Sequence, residues 1–305
     1  MKKTKSLKIE IEKKERQDNI LTEIVVINKD FIPLSEPSSL HIINEFCAFM
    51  SSCFPSEEDI KTKSPQQILD QVNILINSGT LKEFLGELKK VDLKQLKGPL
   101  DKLCFWLNCF NFLLLFYIFY TKPDIFNKNF WDNCFKYVQY NIGGNNYSFE
   151  DMIYILFKKN IFSPTKKYSP KNYVKKNVID LSKEKNINQK EVFITPILLY
   201  LPTKEFYKPI IYEDSDIQSQ ITARIYNSLL TMIKWNSKDK ILILNGLFIY
   251  LEDNFLEKGF SKYKAYIRDD VYTIIKKKKY KKMAIKKMNW ALSFDNLLKY
   301  TFSEE

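Results

Sequence analysis

Apolar residues recur along this chain with two different periods, and the periods place its elements. Ile42, Ile43, Phe46, Phe49 and Met50 share one helical face, which predicts a helix over residues 40–54. Ser64-Pro65 has the form of a helix entry, with serine as the cap and proline in the first turn. That helix runs through Ile68, Val72, Leu75 and Ile76 to Gly79, and a further one from Thr80 carries Leu81, Phe84, Leu85 and Leu88. Residues 93–100 lead into an uncharged run at 103–120, apolar on every side, which is the pattern of a buried central helix. Ile217, Ile221, Ile225, Leu229 and Ile233 recur every four residues and predict a helix over 214–234. Residues 23–27 and 240–244 read as short strands. Residues 192–201 read as a buried strand interrupted at Pro196, a proline that favours an edge or a bulge.

The polar stretches divide these elements. Pro33, Pro37 and the neighbouring serines mark an irregular connector, and residues 158–190, basic and carrying Pro164 and Pro170, lack apolar periodicity and read as a long surface loop. Ser148 with Asp151 three residues on has the spacing of a capping box ahead of Met152, Ile155, Leu156 and Phe157. The uncharged run would cover roughly 27 Å as a helix, just short of a bilayer core. Asn108 and Asn111 inside it would be costly against lipid, so the buried central helix is the preferred reading.

Two phrases in the chain carry a family resemblance. Residues 105–111 read Phe-Trp-Leu-Asn-Cys-Phe-Asn, and residues 141–148 read Asn-Ile-Gly-Gly-Asn-Asn-Tyr-Ser. Together, through Phe105, Trp106, Asn108, Asn111, Gly143, Gly144, Tyr147 and Ser148, they resemble the domain of unknown function 547 family. Leu247, Phe248, Asp253 and Phe255, and then Trp290 within Asn289–Leu292, resemble later phrases of that family. The resemblance implies a helix-rich α+β fold, with a small central sheet surrounded by helices and a helical N-terminal region. It covers residues 101–293 as the family domain, and residue patterning adds a peripheral segment (1–39), a helical region packing on the main domain (40–100) and a tail (294–305). It implies no reaction, because the family's own activity is poorly defined.

The chain also departs from the family pattern where proton transfer would be served. Ile153 and Tyr154 stand where the family often has Glu and His. Residues 191–195 begin a strand without the family's histidine, and residues 197–201 replace a polar, glycine-rich turn with hydrocarbon. These departures imply a non-catalytic descendant.

Composition narrows the chemistry further. His41 is the sole histidine, it precedes the resembling region, and it sits beside Leu40, Ile42 and Ile43, so it reads as a structural or surface residue. Five cysteines (Cys47, Cys53, Cys104, Cys109 and Cys134) form no Cys-x-x-Cys pair. They read as free thiols in a reducing compartment, with no metal site and no cofactor expected. The one catalytic alternative is a hydrolase or transferase with Cys104 or Cys109 as nucleophile and an unconventional base. Glu252-Asp253 reads as a solvated turn, and the Gly143-Gly144 pair as a turn rather than a phosphate loop.

The net charge of +12 points to an acidic partner, although solubility and lysine-rich codon usage account for the same balance. The lysines concentrate in two windows. One holds Lys158, Lys159, Lys166, Lys167, Lys171, Lys175 and Lys176; the other holds Lys276, Lys277, Lys278, Lys279, Lys281, Lys282, Lys286 and Lys287. The resulting expectation is a cytoplasmic, non-catalytic scaffold, a pseudoenzyme whose basic surfaces dock on an acidic protein assembly. A tubulin-like lattice of the cytoskeleton or cilium is the first candidate, and RNA is the alternative partner.

Overall fold

The computed structural model describes residues 23–33, 41–53, 62–64, 77–121, 130–158, 168–187, 211–245, 268–277 and 282–286, with isolated positions between them. In chain order the described elements begin with strand β1 (Val25–Val26) and helices α1 (Ile42–Cys53), α2 (Gly79–Glu87), α3 (Pro99–Thr121) and α4 (Phe130–Tyr137). Strands β2 (Val138–Ile142) and β3 (Asn145–Ser148) follow, then helices α5 (Phe149–Phe157), α6 (Asn172–Lys176) and α7 (Ile217–Met232). Strands β4 (Ile233–Asn236) and β5 (Ile241–Asn245), helix α8 (Asp269–Lys276) and strand β6 (Lys282–Lys286) complete the set. The fold is α+β and helix-rich, and the strands among the described residues form two three-stranded sheets where one had been expected.

Helix α3 organises the core. Asp101 Oδ2 accepts from the Gly98 N–H at 3.0 Å, and Pro99 in the first turn gives up no needed donor. After Lys102 the helix is uncharged, and every residue from Leu103 to Tyr117 is buried against other parts of the protein. Phe46 of α1 meets Phe116 edge-on at 6.4 Å. From the other side Phe149 of α5 meets Phe110 at 5.6 Å, and the Tyr140 hydroxyl of β2 donates to the Leu113 carbonyl at 2.8 Å. Each large apolar side chain so buried contributes about 1.5–3 kcal/mol. By length and composition this helix is also able to cross a membrane, and most of that stretch is buried inside the protein.

In the first sheet β2 is central. It pairs in parallel with β1 (Val25↔Val138) and antiparallel with β3 (Gln139↔Ser148 to Ile142↔Asn145). Gly143 (φ +55°) and Gly144 (φ +81°) make the two-residue turn between β2 and β3, the kind that requires positive φ at both central positions. Asn28, just after β1, ties this edge down: Nδ2 donates to the carbonyls of Leu85 and Asn141 at 2.9 Å each, and Oδ1 accepts from the Asn141 N–H at 2.8 Å. The second sheet has β5 at its centre, antiparallel to β4 and parallel to β6, with α8 in the connection to β6.

Sequence patterning located α1, α2, α3, α5, α7 and β5 to within a few residues. The helix entry at Ser64 is also present, with Ser64 Oγ accepting from the Gln67 N–H and Gln67 Oε1 from the Ser64 N–H. One reading needs correction. The stretch read as a bare surface loop contains α6, and Val174, Ile179, Leu181 and Ile187 within it are buried. Four apolar side chains spread over fourteen residues were too sparse to register as a period. The second lysine window, for which no element was read, spans the end of α8, a turn and strand β6, because β6 pairs along the whole of β5. The strand read at 192–201 and the phrases at 247–255 and 289–292 lie outside the described residues.

Candidate functional site

The family-like residues assemble on both sides of α3. On one side, Asn108 is fully buried and its amide clasps an extended segment of chain. Nδ2 donates to the Tyr212 carbonyl at 3.0 Å, and Oδ1 accepts from the Tyr212 N–H at 2.8 Å. Nδ2 also donates to Asn44 Oδ1 at 3.2 Å, so one side chain joins α1, α3 and the approach to α7. Asn111, one turn on, lies beside the Tyr212 hydroxyl, where it favours the ionised form, but neither of its buried amide atoms has hydrogen-bond geometry to a described residue. Burial pushes the Tyr212 hydroxyl well above its ordinary range, and the buried Arg224 opposes that push.

On the other side of α3, Trp106 and Phe105 are buried and pack edge-on at 5.3 Å. The Trp106 ring lies 4.9 Å from Tyr147 of β3, and its Nε1 is buried without a hydrogen bond to a described residue. Gly143 fits because a Cβ there would sit 2.6 Å from the Val91 carbonyl oxygen. Ser148 caps α5: its Oγ accepts from the Asp151 N–H at 3.0 Å, and Asp151 Oδ2 accepts from the Ser148 N–H and Oγ, each at 2.8 Å. This is a complete capping box with Asp in the acidic position.

The second carboxylate oxygen of Asp151 accepts from the Tyr168 hydroxyl, which draws the start of the basic segment onto α5. Three more contacts continue the attachment. Tyr173 donates to the Asn146 carbonyl, Asn177 Nδ2 donates to the Tyr147 hydroxyl at 3.1 Å, and the Ile179 N–H donates to the Ile155 carbonyl at 3.0 Å. Residues 168–179 thus form a strap laid over the β3–α5 corner. Burial, and then the bond to Asp151, push the Tyr168 hydroxyl far above its ordinary range, so it stays a donor. Lys171 rests over the Tyr173 ring, with Nζ 5.5 Å from its centroid, and that neighbour helps to hold it protonated. Tyr154, standing where the resemblance expects histidine, packs on Tyr168 at 5.2 Å, and Ile153 beside it is buried.

The strap carries Lys175 and Lys176, both exposed. Lys276, Lys277 and Lys279 are also exposed, at the end of α8 and in the turn after it, and Lys282 opens β6. Lys166, Lys167, Lys278, Lys281 and Trp290 lie outside the described residues. The thiols behave as core groups. Burial raises Cys47, Cys109 and Cys134 well above the ordinary thiol range, and burial followed by the charge of Asp214 and Asp101 pushes Cys104 up to about 12. His41 is exposed at the start of α1. Among the described residues no three of His, Cys, Asp and Glu gather as a metal site.

Sequence reading missed Tyr168, Tyr173, Asn177 and Tyr212. The two strap tyrosines were in view within the basic window, but in a chain so rich in tyrosine a single ring carried no signal. Tyr212 engages Asn108 through its backbone, which no side-chain pattern reports.

No curated protein and no solved structure matches the chain. Residues 93–221 match the family model described as "Protein of unknown function, DUF547", a span that takes in α3, the β2–β3 hairpin, the strap and the Tyr212 segment. Over that span the chain is similar to the DUF547 family of proteins of unknown function.

Proposed function

We propose that this protein is a non-catalytic scaffold that docks through its basic surfaces onto an acidic protein assembly in the cytoplasm, with a tubulin-like lattice of the cytoskeleton or cilium as the first partner to test. The observation that carries the reading is the use made of the family-like residues. Asn108 clasps backbone, Tyr147 anchors the strap through Asn177, and Asp151 is shared between the helix cap at Ser148 and the strap residue Tyr168. These bonds present Lys175 and Lys176 on a fixed surface, and a second exposed group stands at Lys276, Lys277 and Lys279. Lysines held on a folded surface bind an acidic face with less entropy lost than lysines on a free chain.

The cysteine-dependent alternative is disfavoured by the same chemistry. A nucleophilic thiol needs a depressed pKa and access, whereas Cys104 and Cys109 are buried and shifted upward. The test is co-sedimentation of the full-length protein with polymerised tubulin. Reversing charge at Lys175, Lys176, Lys276 and Lys277 to Glu is expected to abolish pelleting at moderate salt while the melting temperature stays unchanged. Equal pelleting of both proteins would reject the docking surfaces.

A further inference from the structure

The strap holds a serine in an unusual position. Ser169 is exposed between half-buried Tyr168 and Pro170, and it makes no hydrogen bond with any described residue. Tyr168 is held by Asp151, and Pro170 fixes its own φ, so the backbone at Ser169 is restrained from both sides. A residue before proline is biased toward extended conformations. An extended segment is also what a protein kinase cleft accepts, and Pro170 presents no N–H at the position after the acceptor. Only a kinase whose cleft needs no donor there suits this site. No Asp or Glu occurs from Lys158 to Ile179, so nothing acidic in the local sequence competes with the phosphate donor. Ser64-Pro65 differs, because the Ser64 hydroxyl is occupied as a helix cap.

We propose that Ser169 is a phosphorylation site for a proline-directed serine kinase, and that phosphate there releases the strap surface from its acidic partner. The release rests on the docking reading above; the site does not. In the transfer, Ser169 Oγ bonds to the γ-phosphorus of ATP as the bond from that phosphorus to the β–γ bridging oxygen breaks. ADP leaves, and the hydroxyl proton passes to the kinase's catalytic carboxylate. The phosphate adds about −1.5 to −2 charges beside Lys171, Lys175 and Lys176. Asp151 and Glu150 already act on the neighbouring Tyr168, so the new charge also opposes the contact that holds the strap. Both effects weaken docking.

The experiment treats the full-length protein with a purified proline-directed kinase and ATP and maps phosphate by mass spectrometry, with Ser169→Ala as control. Binding to polymerised tubulin is then measured before and after treatment. The expected result is phosphate on Ser169, binding weakened roughly fivefold (the loss of about two exposed ion pairs) and recovery after phosphatase. Ser169→Ala should bind normally and no longer respond to kinase through this site. Absence of phosphate on Ser169, while a free peptide of residues 163–175 is modified there, would overturn the site. Unchanged binding by the phosphorylated protein would overturn the release. Absence of binding by the unmodified protein would overturn the release and the docking together.

Discussion

Asn108 and Tyr212, separated by 104 residues in sequence, are joined by two hydrogen bonds in which one side-chain amide mimics a neighbouring strand. Both bonds are buried, and Nδ2 reaches Asn44 as well. Asn108→Ala would leave a backbone N–H and a carbonyl without partners. It is expected to cost about 2–4 kcal/mol, read as a lower denaturant midpoint with an unchanged slope. Asn108→Asp keeps the acceptor, loses the donor and buries a charge, so it should cost at least as much. A cost under 1 kcal/mol for both would show that the clasp is incidental.

The two turn glycines should separate cleanly. Gly143 needs positive φ and has the Val91 carbonyl oxygen 2.6 Å from where a Cβ would stand, whereas Gly144 has open space at its Cβ position. Gly143→Ala is expected to cost more than Gly144→Ala, which carries only the conformational penalty of about 1–2 kcal/mol. Thermal melts of the two variants decide the order, and equal losses would mean that the Val91 contact relaxes.

Tyr168→Phe removes one hydroxyl and keeps the ring packed on Tyr154. Stability is expected to fall by about 1–2 kcal/mol. Cleavage by trypsin after Lys171, Lys175 and Lys176 is expected to accelerate more than cleavage elsewhere, because the strap loses its first anchor. Cleavage that speeds up uniformly would place the effect in the global fold instead.

Alkaline pH should destabilise the protein through its thiols. The folded-state pKa of Cys104, about 12, lies above the ordinary thiol value of 9.0. Between those values the unfolded chain gives up a proton that the folded chain retains, so stability falls as pH rises. Cys47, Cys109 and Cys134 shift in the same direction, so their contributions add. The melting temperature is therefore expected to decline from pH 9 upward, with little thiol labelling of the native protein at pH 8. Rapid native labelling of Cys104 or Cys109 would restore the nucleophile reading.

What the sequence disclosed and what it hid follow from the range of the interactions. Helices α1, α5 and α7 were legible because each repeats an apolar face, α3 because a long uncharged run is apolar on every side, and the α5 capping box because Ser148 and Asp151 are three residues apart. The glycine turn was legible because two adjacent glycines between strands have few other uses. The strap was not legible, since its anchors join residues 17 to 30 apart and its buried contacts, such as Val174, are single side chains. The partition of strands into two sheets was hidden too, because β1 pairs with β2 across more than a hundred residues and β6 returns to β5 in parallel.

Binding of fixed basic surfaces to an acidic lattice is read most directly from its salt dependence. The dissociation constant of the full-length protein would be measured on polymerised tubulin with its acidic tails intact and with the tails removed by protease, from low to physiological salt. Affinity on intact polymer is expected to fall steadily with added salt and to be largely lost when the tails are removed. Affinity that ignores both salt and tails, or no measurable affinity even at low salt, would contradict the docking reading.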